Sequence, residues 1–413
     1  MKISIGFSQA EDISTSIAEI ADQIKATSAA PGDNDLLLAF CTSRVDYGSF
    51  YARLRNIFGE VPVIGGGVIG VITNHRYGYT DAVAGAMLIQ GNDYTFRFGS
   101  VDGFLQNEIE TGAQLIDTIG VNENDKALML FFESAAVEAA EGRPPVLNHS
   151  TLLCDGIYKK MPETTLLTGA GLVGDLSFGK TFQFRGDALC KDAALGLMFG
   201  GPVKAFSRVS HGCMPLDGIY HTITRITDGI IEELDGKPIV PIIDGLFQDK
   251  SWRHEHPLKL LTLGVNKGEK FGEFIETNYV NRLIVGISPD GKGVIPIEPY
   301  FHEGDEIQFM LRDNNRMIET AGQGAQAFID RISFENKKPF FAFYINCAGR
   351  AANNCNSLHE EAVEVQNVMN KHRIPLFGIY SGVEIAPYNN RSIGLDWTGV
   401  LFALTEGDAD EGK

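Results

Sequence analysis

The chain is short of positive charge: among 413 residues, 35 Lys and Arg stand against 53 Asp and Glu, a formal net charge of −18. Such a surface repels phosphate backbones and anionic lipid, so neither nucleic acid nor a membrane surface is expected as a partner, and the charge serves solubility. Long hydrophobic runs are missing too. No stretch approaches ~18 uninterrupted apolar residues, so no membrane span is expected. The amino terminus, MKISIGFSQA, has one Lys and no apolar run ending at a small-residue cleavage site. No secretory signal is read there, and a cytoplasmic protein is expected. The six cysteines (Cys41, Cys154, Cys190, Cys213, Cys347, Cys355) are scattered, with no Cys-x-x-Cys. They read as reduced thiols rather than disulfide staples. His254 and His256 in SWRHEHPLK share strand parity, but no third ligand accompanies them, so no metal site is assigned.

What the sequence does contain is a unit written three times. Segment 35–91 opens with DLLLAF, passes VPVIGGGVIGVI and closes with AVAGAMLIQG. Segment 126–201 has KALMLFF, TLLTGAGLVGDL and AALGLMFGG, and segment 338–407 has KPFFAFY, IPLFGIYSGVEI and WTGVLFALTEG. Each copy reads as a strand, an amphipathic helix, a second strand running into a glycine turn, and a last strand with Gly85, Gly196 or Gly399 in its middle. In the third copy Leu358, Val363, Val365 and Val368 lie roughly on one helical face, with Glu360, Glu361 and Lys371 among the polar positions.

The repetition decides the meaning of Gly65-x-Gly67-x-x-Gly70, which has the spacing of a dinucleotide fingerprint. A nucleotide site needs a helix starting inside that motif, to receive the pyrophosphate. VITNHRYGYTDAVAGAML follows instead, rich in β-formers and turn residues, and the second copy continues likewise with DLSFGKTFQFRGDALC. The glycines are therefore read as strand–turn–strand junctions with close backbone approach.

The predicted fold is α+β: layered mixed and antiparallel β-sheets with outer helices, built from repeated β-α-β-β units that fold together around a chamber. The division falls at GGPVKAF, giving 1–201 with two copies and 202–413 with an antiparallel β insertion, 202–337, ahead of the third copy.

The chain resembles FIST-domain proteins, with an N-terminal module over roughly 30–200 and a C-terminal one over roughly 220–390. The residues carrying the resemblance are HGCMPLDGIYHTITRITDGIIEELDGKPIV, INCAGR, IPLFGIYSGVEIAP and WTGVLFAL. The resemblance implies a sensory module for small ligands, amino acids being one proposed class. It further implies signalling to a separate partner, such as a histidine kinase, a cyclic-di-nucleotide enzyme or a chemotaxis receptor. Some members resemble haem proteins that sense nitric oxide.

Candidate site residues cluster in the third copy: Cys347, Arg350, Gly378, Tyr380, Ser381 and Glu384. Arg350 has two readings, a bidentate contact to a ligand carboxylate or an internal pair with Glu384. Glu384 matches Asp175 in the second copy and Val71 in the first. Cys347, at a strand end, could be a nucleophile with His359 or His372 as base, which gives a cysteine-hydrolase alternative. Tyr380 and Trp397 could wall a pocket or pack in the core. His211, Cys213 and His221 could share a strand face and ligate haem, or be a hydrogen-bonded structural histidine beside a buried cysteine. The leading expectation is a non-enzymatic sensor, with no catalytic residue and no confirmed cofactor. A ligand-free interaction scaffold remains as a further alternative.

Overall fold

The computed structural model describes residues 1–413 apart from 31, 105–106, 139–145, 299–300, 389 and 409–413. They form two compact units: Met1–Val209 with Gly322–Gly394 and Gly399–Lys413, and Ser210–Ala321 with Leu395–Thr398.

The larger unit uses one motif three times. The first repeat runs β1 (Lys2–Ser8), α1 (Ile13–Thr27), β2 (Leu36–Cys41), α2 (Tyr47–Phe58), β3 (Val63–Gly67), β4 (Gly70–Thr73), β5 (Tyr77–Gly78) and β6 (Ala84–Gln90). The second runs β7 (Thr95–Asp102), α3 (Glu108–Ile119), β8 (Asp125–Glu133), β9 (Ala135–Val137), β10 (Val146–Leu147), α4 (Ser150–Tyr158), β11 (Leu166–Leu172), β12 (Phe182–Gly186), β13 (Leu189–Lys191) and β14 (Ala193–Gly200). The third opens with β15 (Val203–Ser210), after which the chain builds the second unit. That unit holds β16 (Cys213–Pro215), β17 (His221–Thr227), β18 (Ile230–Leu234), β19 (Lys237–Pro238), α5 (Ile239–Phe247), β20 (Leu261–Asn266), β21 (Tyr279–Ile287), β22 (Val294–Pro296) and β23 (Glu306–Arg312). The third repeat resumes with α6 (Asn314–Phe334), β24 (Pro339–Cys347), α7 (Ala352–Cys355), α8 (Glu361–Lys371), β25 (Leu376–Ser381), β26 (Val383–Tyr388), β27 (Arg391–Leu395) and β28 (Gly399–Glu406).

The repeats are larger than the sequence copies, because each carries an extra strand and helix in front. The inserted segment is correspondingly narrower than the expected 202–337. β15 is an edge strand of the third sheet, and the second half of α6 belongs to the larger unit.

Local sequence explains the elements. β2 (LLLAFC) is buried at every position, as a continuous apolar run in a covered sheet should be. Asp12, Asp46 and Asn107 cap α1, α2 and α3 by accepting from the backbone N–H groups of Thr15, Ser49 and Glu110.

Three six-stranded sheets share one order: β1-β6-β2-β3-β12-β13, β7-β14-β8-β11-β26-β27 and β15-β28-β24-β25-β4-β5. In each, the two central strands of a repeat run parallel and its last strand is antiparallel to them. The fifth and sixth strands come from another repeat. After the glycine turn the first repeat lends β4 to the third sheet, the second lends β12 to the first, and the third lends β26 to the second. The exchange is cyclic, so every repeat is pinned by another. No helix leaves the glycine turn at Gly65–Gly70; β4 does.

The sheets' inner faces meet on Phe40, Phe131 and Phe343, whose ring centroids lie 5.3, 5.9 and 6.3 Å apart. All three are fully buried. Close-packed rings therefore stand where the sequence suggested a chamber, since large apolar side chains on three facing strands fill the space they define.

In the second unit β23 pairs with β17 and with β20, which closes β17, β18, β22, β21, β20 and β23 into a ring. Its core includes Leu261, Leu263, Ile284, Ile307 and Phe309.

Candidate functional site

The expected site residues of the third copy do come together, at the carboxyl ends of the parallel strands β24 and β25. There Asn346 lies opposite Tyr380 and Cys347 opposite Ser381. Paired residues share a face, and the two pairs point to opposite faces. Carboxyl ends of parallel strands are where α/β proteins place ligands, because loops diverge there and leave space.

One face carries a charged network. Arg350, wholly buried, donates from Nε to Glu361 Oε2 at 2.8 Å and from Nη2 to Glu361 Oε1. Tyr344 donates its hydroxyl to the same carboxylate at 2.7 Å. Burial works against the charged guanidinium, but the Glu361 carboxylate outweighs it and holds the Arg350 pKa above its usual value. Of the two readings of Arg350, an internal pair is present, with Glu361 as a partner. Glu384 accepts from Ser381 Oγ at 2.9 Å. Beside this network Glu360 accepts from Tyr380 Oη at 2.9 Å and from Ala352 N at 2.9 Å. Burial raises the Glu360 pKa against those two donors, and burial pushes the Tyr344 and Tyr380 phenols well up, so both stay neutral donors.

Gly378 has a structural duty. A Cβ there would sit 2.4 Å from the Tyr344 carbonyl oxygen, and one at the equivalent Gly65 or Gly169 would sit 2.0 or 2.2 Å from the oxygen of Ala39 or Leu130. The glycine lets two parallel strands approach. Trp397 lies in the second unit, its ring 3.1 Å from the Arg312 guanidinium carbon.

Asn346 is the residue the sequence reading passed over. It is fully buried, yet neither its Oδ1 nor its Nδ2 has a hydrogen-bond partner among the described residues. A buried amide left this way costs about 1–3 kcal/mol, so it needs a reason to be there. Glu361, Glu360 and Tyr344 were also missed as partners, because two acids at a helix start look like dipole-stabilising surface charge.

Pairing registers align the repeats. Gly65, Gly169 and Gly378 face Ala39, Leu130 and Tyr344, so Thr42, Glu133 and Cys347 are equivalent strand-end positions. By the same register Val71, Gln183 and Glu384 correspond. Asp175, expected to match Glu384, is a turn residue holding Ser177 N at 2.9 Å. Glu133 is fully buried and accepts from Thr181 N at 2.9 Å and Gln183 Nε2 at 3.3 Å. Burial, opposed by these donors, pushes its pKa up to about 7.

Of the two histidines named as bases for Cys347, the His372 ring bonds Gln326 Oε1 at 3.2 Å and His359 is exposed. In the second unit His211 spends both ring nitrogens. Nε2 is 2.9 Å from the Glu276 carbonyl oxygen, and Nδ1 accepts from Cys213 N at 3.0 Å. His221 Nδ1 lies 2.7 Å from Asp235 Oδ2. For His211 to ligate a haem iron it would have to give up one of these bonds, whereas the Nδ1 contact of His221 with Asp235 leaves that ring's Nε2 as the candidate ligand atom. Among the described residues no group of three or more His, Cys, Asp or Glu could hold a metal ion.

Comparison with protein families matches the FIST N domain at residues 35–237 and the FIST C domain at 246–387. The chain belongs to the FIST family. FIST membership is consistent with a sensory, small-ligand-binding signalling domain. No curated protein matches the sequence. Among solved structures, a chorismatase crystal structure is similar at 10% identity and a TM-score of 0.34, over 98% of this FIST chain and 99% of that one. No helix among the described residues of the FIST chain is long and apolar enough to cross a membrane.

Proposed function

We propose that this FIST protein senses a small polar ligand at the carboxyl ends of β24 and β25 and passes the signal to a separate partner protein, without chemical turnover. The observation that carries the reading is the unpartnered, buried amide of Asn346. A primary amide offers two donors and an acceptor side by side, which suits a ligand that both donates and accepts, as the ammonium and carboxylate of an amino acid do. Tyr380 lies opposite it on β25 and shares its face. The charged groups nearby speak for binding over catalysis. Arg350 and Glu361 neutralise each other, and Glu360 is occupied by its donors. Signalling then requires only that two arrangements of the protein differ in ligand affinity. A histidine kinase, a cyclic-di-nucleotide enzyme or a chemotaxis receptor would suit as the partner.

Calorimetric titration with a panel of the amino acids tests the reading. At least one should bind the wild type, and Asn346→Leu should weaken it tenfold or more. Binding unchanged in the variant would refute the assignment. Haem added to the same protein should give no Soret band shifted by His211→Ala, because that ring is already engaged.

A further inference from the structure

The second unit holds another unpartnered amide. Asn281 on β21 is 1% exposed, and neither Oδ1 nor Nδ2 finds a partner among the described residues; the Thr262 hydroxyl on β20, 0% exposed, is in the same state. Register places them together. Gly264 on β20 lies opposite Asn281 on one side and opposite Gln308 of β23 on the other, while Thr262 lies opposite Leu283 and Met310. Directly paired residues share a face, as do residues two apart on a strand. Tyr279, Asn281, Leu283, Thr262, Gly264, Gln308 and Met310 therefore form one face. Leu261, Leu263, Ile307 and Phe309 alternate with them and build the unit's core on the other.

Two features shape this face. Met310 occupies the space over Gly264, where a Cβ would lie 2.4 Å from Met310 Cγ and 3.5 Å from the Tyr279 ring, and the Tyr279 hydroxyl donates to Gln308 Oε1 at 2.9 Å. A ligand beside Asn281 would have to displace that thioether, which is unbranched and can swing aside. None of these residues carries a charge. An ionic group brought here would lose its hydration with nothing to replace it, whereas a neutral planar one would not. Asn reads a planar edge that sets a donor beside an acceptor, as in its bidentate contact with adenine.

We propose that this face of the second unit binds a flat, uncharged heterocycle whose edge sets a hydrogen-bond donor beside an acceptor, a lactam or a nucleobase, with Asn281 reading the edge and Thr262 adding a third bond. The proposal uses none of the residues at the strand ends of β24 and β25 and does not depend on the function proposed for them.

Thermal melting of the full chain with 2-pyridone, uracil and adenine tests it, with pyridine (acceptor only) and benzoate (charged) as controls. At least one of the three probes should raise Tm in a concentration-dependent way, and neither control should. Asn281→Leu should weaken that binding about tenfold or more, the worth of one bidentate pair. The unliganded variant should melt no lower than wild type, because it removes an unpaid polar group. Thr262→Val should shift both quantities in the same directions, more weakly. Silence from all three probes, wild-type affinity in Asn281→Leu, or a variant that melts lower or fails to fold would each overturn the proposal. The last would mean that the amide serves the fold.

Discussion

Arg350 and Glu361 show how a fully buried ion pair constrains its surroundings. Both side chains are 0% exposed, so either charge without the other is stranded in a medium that cannot solvate it. Arg350→Met should therefore cost about 3–5 kcal/mol in urea unfolding, while the double variant Arg350→Met with Glu361→Leu should recover most of the loss. An additive double variant would show that the charges are not coupled. Glu133 makes a different demand. Its pKa of about 7 in the folded protein exceeds the ordinary glutamate value of 4.5. The folded state thus holds the extra proton between those limits, and stability falls as pH rises through that window. The full loss is about 3 kcal/mol, complete once the pH is above 7. Asp396 in the second unit, raised to about 7 by burial against the pull of Arg282, acts with the same sign. Glu133→Gln should remove about half of the decline in stability between pH 5 and pH 8. An unchanged slope would contradict the burial of that carboxylate.

At the scale of elements, the glycine turns carry the strand exchange. Gly65 has φ of +144° and would place a Cβ 2.0 Å from the Ala39 oxygen, a contact no rotamer relieves. Gly65→Ala should destabilise the protein by several kcal/mol, whereas Gly245→Ala, at an exposed position of α5 with open space around a Cβ, should not destabilise it. Parallel urea titrations of the two variants check this. These turns were legible: the threefold VIGGGVIGVI-like signature marked the junctions, and the β-rich continuation ruled out a nucleotide-binding helix. The leading strands and helices β1–α1, β7–α3 and β15–α6 were not seen as parts of the repeat, because edge strands and outer helices are only half buried and keep no shared signature. The site was half legible. Cys347 and Arg350 were singled out in INCAGR and Tyr380 and Ser381 in IPLFGIYSGVEI, and strand pairing sets the two segments side by side. The partner of Arg350 was missed, because pairing across a helix start depends on three-dimensional placement that no spacing rule encodes. Asn346 escaped because an orphaned amide is a property of its surroundings, not of its residue type.

Across the larger unit, cyclic lending of β4, β12 and β26 means that no repeat completes its own sheet. The first repeat alone, residues 1–91, would expose the edge left by β12 and the ring of Phe40, so it should be unfolded by circular dichroism; a cooperative melt would contradict the interlock. The same arrangement explains why small polar side chains gather at the strand ends. The middle is filled by phenylalanine rings, so these polar side chains are displaced to the rims, where parallel strands stop and the backbone turns away. The proposed sensor would hold its ligand and return it unaltered. Native mass spectrometry of freshly isolated protein, followed by denaturation and identification of what is released, tests that directly. The account expects a stoichiometric small molecule that leaves chemically unchanged and is missing from Asn346→Leu. A covalent adduct on Cys347, or the same molecule retained by Asn346→Leu, would contradict it.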